Sequence, residues 1–176
     1  MLRTTFISLA MLAVACAGGS AGSGSSAAAP DFEPTGGIVV ASGNGARFNA
    51  TEVRGPRVQI RQRADGSWGG TIYLAGKQVP IDANFEGGRF NGANIRMSIE
   101  RKEGKTTIVG SFQDQIVRFE VTANDIMVRT PSRSENFSRL GPPGEYGGSQ
   151  SLHLEGEAQQ FPPTPAFALA MLGSFI

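Results

Sequence analysis

Three arginines, Arg57, Arg61 and Arg63, are spaced so that an extended segment would project all of them from one face. Guanidinium groups placed this way can grip a phosphate, a glycan acid or an acidic protein partner through forked, charge-assisted hydrogen bonds. Arg54 lies just upstream and extends the basic group. Pairing with carboxylates on neighbouring strands is the plainer role for such a row. His153, the sole histidine, sits between Leu152 and Leu154, so alternation turns it to solvent. The body that carries it, from Gly36 onward, holds no Gly-x-Ser-x-Gly nucleophile motif. Glu155 and Glu157 would share its strand face, and two like-facing acids there read as a wet surface rather than an acid–base pair. With one histidine, one cysteine and no carboxylates at EF-hand spacing, the expectation is no catalytic constellation, no metal site and no cofactor.

The elements that must carry these residues are strands. From Gly36 onward apolar residues recur with a period of two: Val79, Ile81, Ala83 and Phe85, then Ile95, Met97 and Ile99, then Val117, Phe119 and Val121. Each alternates with polar residues, which predicts one buried and one wet face. Turn signals separate the runs, among them Gly43-Asn44-Gly45, Ala75-Gly76, Gly87-Gly88, Glu103-Gly104 and Ala123-Asn124-Asp125. Loops this short join antiparallel neighbours. A Gly-x-aromatic triplet ending at Trp68, Phe90 and Phe112 recurs at equal intervals and predicts hairpins that open with an aromatic at one end of the sheet. The expectation is an all-β antiparallel meander of roughly eight to ten strands, curled into a small barrel or a folded-over sandwich. Pro131 to Gln150 reads as a long loop, and the tail Phe167–Leu172 as a closing strand in preference to a short helix.

Composition bounds the function classes. The 176 residues contain 24 glycines and 10 prolines, a mixture of short strands and many turns. Lys and Arg total 16 against 15 acids. Loss of Arg3 with an N-terminal signal would leave a neutral chain without bulk attraction to nucleic acid or to an anionic membrane. Since Cys16 is the sole cysteine, the body holds no disulfide, no redox pair and no thiolate metal site.

The N-terminus reads as an export signal: a basic Met1-Leu2-Arg3, the apolar stretch Phe6–Val14, and the small Ala15. That stretch is too short to span a bilayer. Leu12-Ala13-Val14-Ala15-Cys16 resembles the lipobox of bacterial lipoproteins, with Ala13 where that family more often has Leu. The resemblance implies a signal cut at residue 15 and a lipid-modified Cys16 as the first mature residue. Ala17 after the cysteine, in place of Asp, resembles the pattern of lipoproteins sent to the outer membrane. Ala17 to Pro30 is built of Ala, Gly and Ser, the composition of a flexible tether. The expected organisation is signal 1–15, lipidated cysteine and tether 16–35, and one β domain 36–176.

Within the body, Gly66-Ser67-Trp68 resembles the Gly-x-Trp that opens the first strand of lipocalins, where the ring closes a barrel beneath a ligand cavity. A lipidated cysteine, a Gly/Ser tether and a glycine-punctuated meander are together similar to the β-barrel modules of transferrin-binding-protein-like lipoproteins. The expected function is a non-catalytic, membrane-anchored envelope lipoprotein that binds a protein or polysaccharide, with Arg57, Arg61 and Arg63 as candidate contacts. A lipocalin-like carrier of a small apolar ligand is the alternative, distinguished by a hollow interior. An enzyme of unrecognised type is the third.

Overall fold

In the computed structural model, which describes residues 31–176, fourteen antiparallel strands close into a barrel. They are β1 (Gly36–Val40), β2 (Ala46–Phe48), β3 (Glu52–Gly55), β4 (Val58–Gln62), β5 (Trp68–Leu74), β6 (Lys77–Glu86) and β7 (Arg89–Gly92), then β8 (Ile95–Lys102), β9 (Lys105–Phe112), β10 (Gln115–Val121), β11 (Asp125–Thr130), β12 (Arg133–Arg139), β13 (Glu145–Gly147) and β14 (Ser151–Gly156). Each strand pairs with its sequence neighbours, and β1 closes the ring on β14 through Gly36↔Gly156 and Val40↔Leu152. A 3-10 turn (Glu157–Gln160) and a helix, α1 (Pro165–Phe175), follow.

Local chemistry sets the hairpins. Ala75-Gly76, Gly87-Gly88, Glu103-Gly104 and Gln113-Asp114 all have positive φ at both positions, the primed turn whose twist matches the flanking strands. Glycine supplies the second position in three of them without steric cost. Odd-numbered strands run away from the end at which Phe32 enters, called here the entry end, and even-numbered strands return from the far end. Phe32 to Thr35 already lie against the barrel: Arg54 stacks 4.7 Å over the Phe32 ring, and Thr35 N donates to Phe48 O at 2.9 Å.

The alternating rows face as expected. Val117, Phe119 and Val121 are fully buried, as are the inward rows of β6 and β8 apart from half-buried Phe85. Arg96, Arg118 and Arg129 face out. Apolar inside and charged outside is the reverse of a membrane-spanning barrel, whose lipid-facing band must be apolar.

Three sequence expectations are corrected. The strands number fourteen because β2, β3, β7 and β13 are only three or four residues long, too short to show a period. Pro131 to Gln150 is not one long loop but holds β12 and β13, the former masked because its inward positions Arg133 and Glu135 are polar. Trp68 and Phe90 open β5 and β7 at the entry end, whereas Phe112 closes β9 at the far end, so the aromatic spacing is not a structural repeat.

The largest correction is the tail, which is helix, not a closing strand. Thr164 Oγ1 accepts from Phe167 N at 3.3 Å and Pro165 occupies the first turn, a matched start signal. Alanine, leucine and methionine then favour the helix. Every residue from Ala166 to Phe175 is buried. A helix without a polar face needs cover on all sides, and a barrel wider than eight strands needs something to fill it. One requirement answers the other: α1 threads the interior from the entry end, where Phe161 O accepts from Thr106 Oγ1, to the far end, where Arg57 donates to the main-chain oxygen of Ile176.

Candidate functional site

The residues with binding chemistry divide between the ends, the outer wall and a groove. Of the row Arg57, Arg61 and Arg63 only Arg61 lies within β4, so the three do not share a strand face, and they have separate duties. Arg57 sits in the far-end turn before β4 and holds the end of α1. Arg63, beyond the other end of β4, donates to Asp82 Oδ1 at 2.6 Å and to Ser67 Oγ at 3.3 Å, and its guanidinium lies against Gly69. Arg61 is exposed between Glu52 and Gly69. Glu52 in turn pairs with Arg54 at 2.7 Å and holds that guanidinium more firmly protonated. Cys16 lies outside the described residues.

His153 is half-buried on the outer face of β14, opposite Val39. Glu155 reaches Arg47 at 3.9 Å, while Glu157 has left the strand and accepts from Thr35 Oγ1 at 2.9 Å. The two acids therefore do not share a face. Among the described residues no three His, Cys, Asp or Glu side chains gather at metal-ligating distance.

A groove of about 280 Å3 opens where β2 stops short. β1 pairs with β2 only as far as Ile38, which leaves Val39 and Val40 facing Gly55 and Pro56, with Arg47 and Arg54 on the rim. At the far-end mouth, Arg133 points inward and pairs with Glu135 at 3.3 Å, while Glu135 also accepts from Gln150 at 3.2 Å. One guanidinium nitrogen of Arg133, Nη1, is buried without a hydrogen-bond partner, as is Trp68 Nε1 in the interior.

A further charged feature is the outer wall of β8 to β11, which sequence reasoning did not assemble. Register sets Ser98, Val109, Arg118, Arg129 and Ser134 in one row across five strands, with Arg96, Ser111 and Ile116 in the row above. Arg118 and Arg129 stand directly opposite each other. Glu120, one step toward the entry end, accepts from Arg118 and Lys105, and these cations hold its carboxyl below the usual range. Arg96 and Arg129 have no ion pair among the described residues. The signal that would have found this wall was already present: Arg96 and Arg118 are the wet partners of the apolar rows in β8 and β10.

Comparison of the chain with protein families, with curated proteins and with solved structures gives no match.

Proposed function

We propose that this chain is a bacterial envelope lipoprotein, anchored through Cys16 and directed to the outer membrane, whose barrel acts without catalysis as a binding module for a protein or polysaccharide. The observation that carries this reading is the position of α1. It fills the space in which a carrier would hold an apolar ligand, so recognition falls to the outer surface and the loops. The N-terminal pattern supports the anchor: a lipobox-like run followed by a Gly/Ser/Ala tether. Several acyl chains on one terminus make a durable anchor, where a single chain holds only marginally.

Intact-mass measurement of the protein extracted from envelope membranes tests the anchor. The expected species starts at Cys16 and carries a diacylglyceryl thioether and an acylated amine, and Cys16→Ser releases the protein into the soluble fraction. A wild-type species with a free amine and no acyl chains overturns the reading.

A further inference from the structure

We infer that the far-end half of the outer wall formed by β8 to β11 is a docking surface for an acidic polysaccharide, held by Arg96, Arg118 and Arg129. This rests on the outer-surface reading above and names the partner class for it.

Charge distribution is the first observation. The chain is close to neutral, so a local surplus of one sign has to be read from the placement of individual side chains. At the entry end cations and acids are interleaved, Arg89, Arg101, Lys102 and Lys105 with Glu86, Glu100, Glu103 and Glu120. In the far-end half of β8 to β11 the outward positions carry three arginines and no carboxylate. The nearest acids are Glu100 and Glu120, one step toward the entry end, and Asp114 at the tip of the β9–β10 turn. A polyanion thus meets compensated charge at the entry end, and on this wall Arg96 and Arg129 without an ion pair among the described residues.

Geometry is the second. Arg118 and Arg129 face each other across a strand pair, about 5 Å apart at Cα; Glu120 engages Arg118, and Arg129 is left without an ion pair among the described residues. Arg96 lies two strands from Arg118, about 10 Å away across the sheet and one step along it. Ser111 and Val109 of β9 lie between them. A single small anion cannot meet all three guanidinium groups, whereas a linear polymer with repeating acid groups can. Ser98, Ser111 and Ser134 offer hydroxyls to sugar hydroxyls along the same rows.

The surface also discriminates among polyanions. No aromatic ring stands on this wall for bases to stack on, which disfavours single-stranded nucleic acid. A protein interface centres on a desolvated aromatic or apolar anchor, and here the single exposed apolar side chain, Ile116 at 77 %, stands at the edge of the field.

Titration of the full chain with polygalacturonate and dextran sulfate, with neutral dextran and duplex DNA alongside, tests the assignment in 150 mM salt. Both acidic polysaccharides are expected to bind, neutral dextran not, and duplex DNA more weakly. Arg96→Gln/Arg118→Gln/Arg129→Gln should weaken the acidic polysaccharides by about tenfold or more. Arg101→Gln/Lys102→Gln/Lys105→Gln removes the same charge at the entry end of the same barrel and should stay within about twofold. If the wall triple melts early, Arg96→Gln and Arg129→Gln singly should each cost about threefold. Equal losses in both triples reduce the effect to bulk charge and overturn the assignment, as does tighter binding of DNA through the same arginines. No binding of either acidic polymer overturns it too. Binding of neutral dextran alone would remove the acidic specificity while leaving the outer-surface reading intact.

Discussion

The two sides of the barrel meet the central helix by different means. The backbone of α1 lies closest to β1 through β4, where Gly36, Ala46, Val53 and Val58 stand among larger inward residues such as Ile38, Phe48 and Ile60. There Gly173 comes so near β4 that an added Cβ would stand 2.5 Å from Val58 Cβ, and Gly36 leaves room for the Phe48 ring. Phe48 in turn packs edge-on against Phe167 at 6.0 Å. The opposite side, β8 through β12, spans the wider gap with large side chains, Met97, Phe112, Phe119 and Phe137. Phe175 reaches across to Phe119 at 6.3 Å and Phe137 at 5.8 Å. The helix is off-centre, in close contact with β4 at Gly173 and reached from the opposite side by Phe119 and Phe137. One wall should therefore suffer from added volume and the other from lost volume.

Loss of volume is the larger effect. Phe119→Ala should leave a cavity beside Phe175 and cost about 3 to 5 kcal/mol in equilibrium denaturation. A cost under about 1 kcal/mol would mean that the far wall does not depend on side-chain reach. Added volume is tested by Gly173→Ala, expected to cost about 1 to 3 kcal/mol although alanine is the better helix former. In a Val58→Ala background the same substitution should be nearly harmless, a coupling that a double-mutant cycle reads directly. Additive costs would place α1 elsewhere. The smallest effect belongs to the outside of the far wall. Arg118→Ala loses the pairing with Glu120 and relieves repulsion from Arg129, for a net change under about 0.5 kcal/mol.

The same ion pair gives a pH signature. Hydrogen bonding from Arg118, and then from Lys105, lowers the folded carboxyl of Glu120, so its stabilising contribution is present above the ordinary glutamate range and lost as pH falls through the lowered folded value. Denaturation of wild type and Arg118→Ala should converge across that acidic window. Divergence on acidification would contradict the assigned pairing.

Much of the wall was legible in the sequence, and the filler was not. Rows such as Val79 to Phe85 and Val117 to Val121 announce their faces because water on one side and core on the other impose a period of two. Helix α1 has no wet side, so Phe167 to Leu172 carry no period at all, and a buried strand and a buried helix look alike by that criterion. Thr164-Pro165, a cap followed by a first-turn proline, was the one local mark of the helix. The arginine row around β4 does not form one strand face, because the strand ends divide it: the far-end turn gives Arg57 to the helix terminus, and Asp82 across the sheet takes Arg63. The β8 to β11 wall went unassembled because Arg96, Arg118 and Arg129 are separated in sequence and become neighbours only through register.

All of this depends on α1 being the core of the barrel rather than an attachment to it. Native-state hydrogen exchange of the intact protein measures that most directly, by comparing amides of α1 from Ala168 to Ile176 with those of β10 and β11. If the helix is enclosed, its amides open only when the barrel does, and both sets should exchange with the same free energy and the same denaturant dependence. Exchange of the α1 amides at markedly lower cost, with the strands still protected, would show a helix that leaves while the barrel stands, and the account of a filled interior would be wrong.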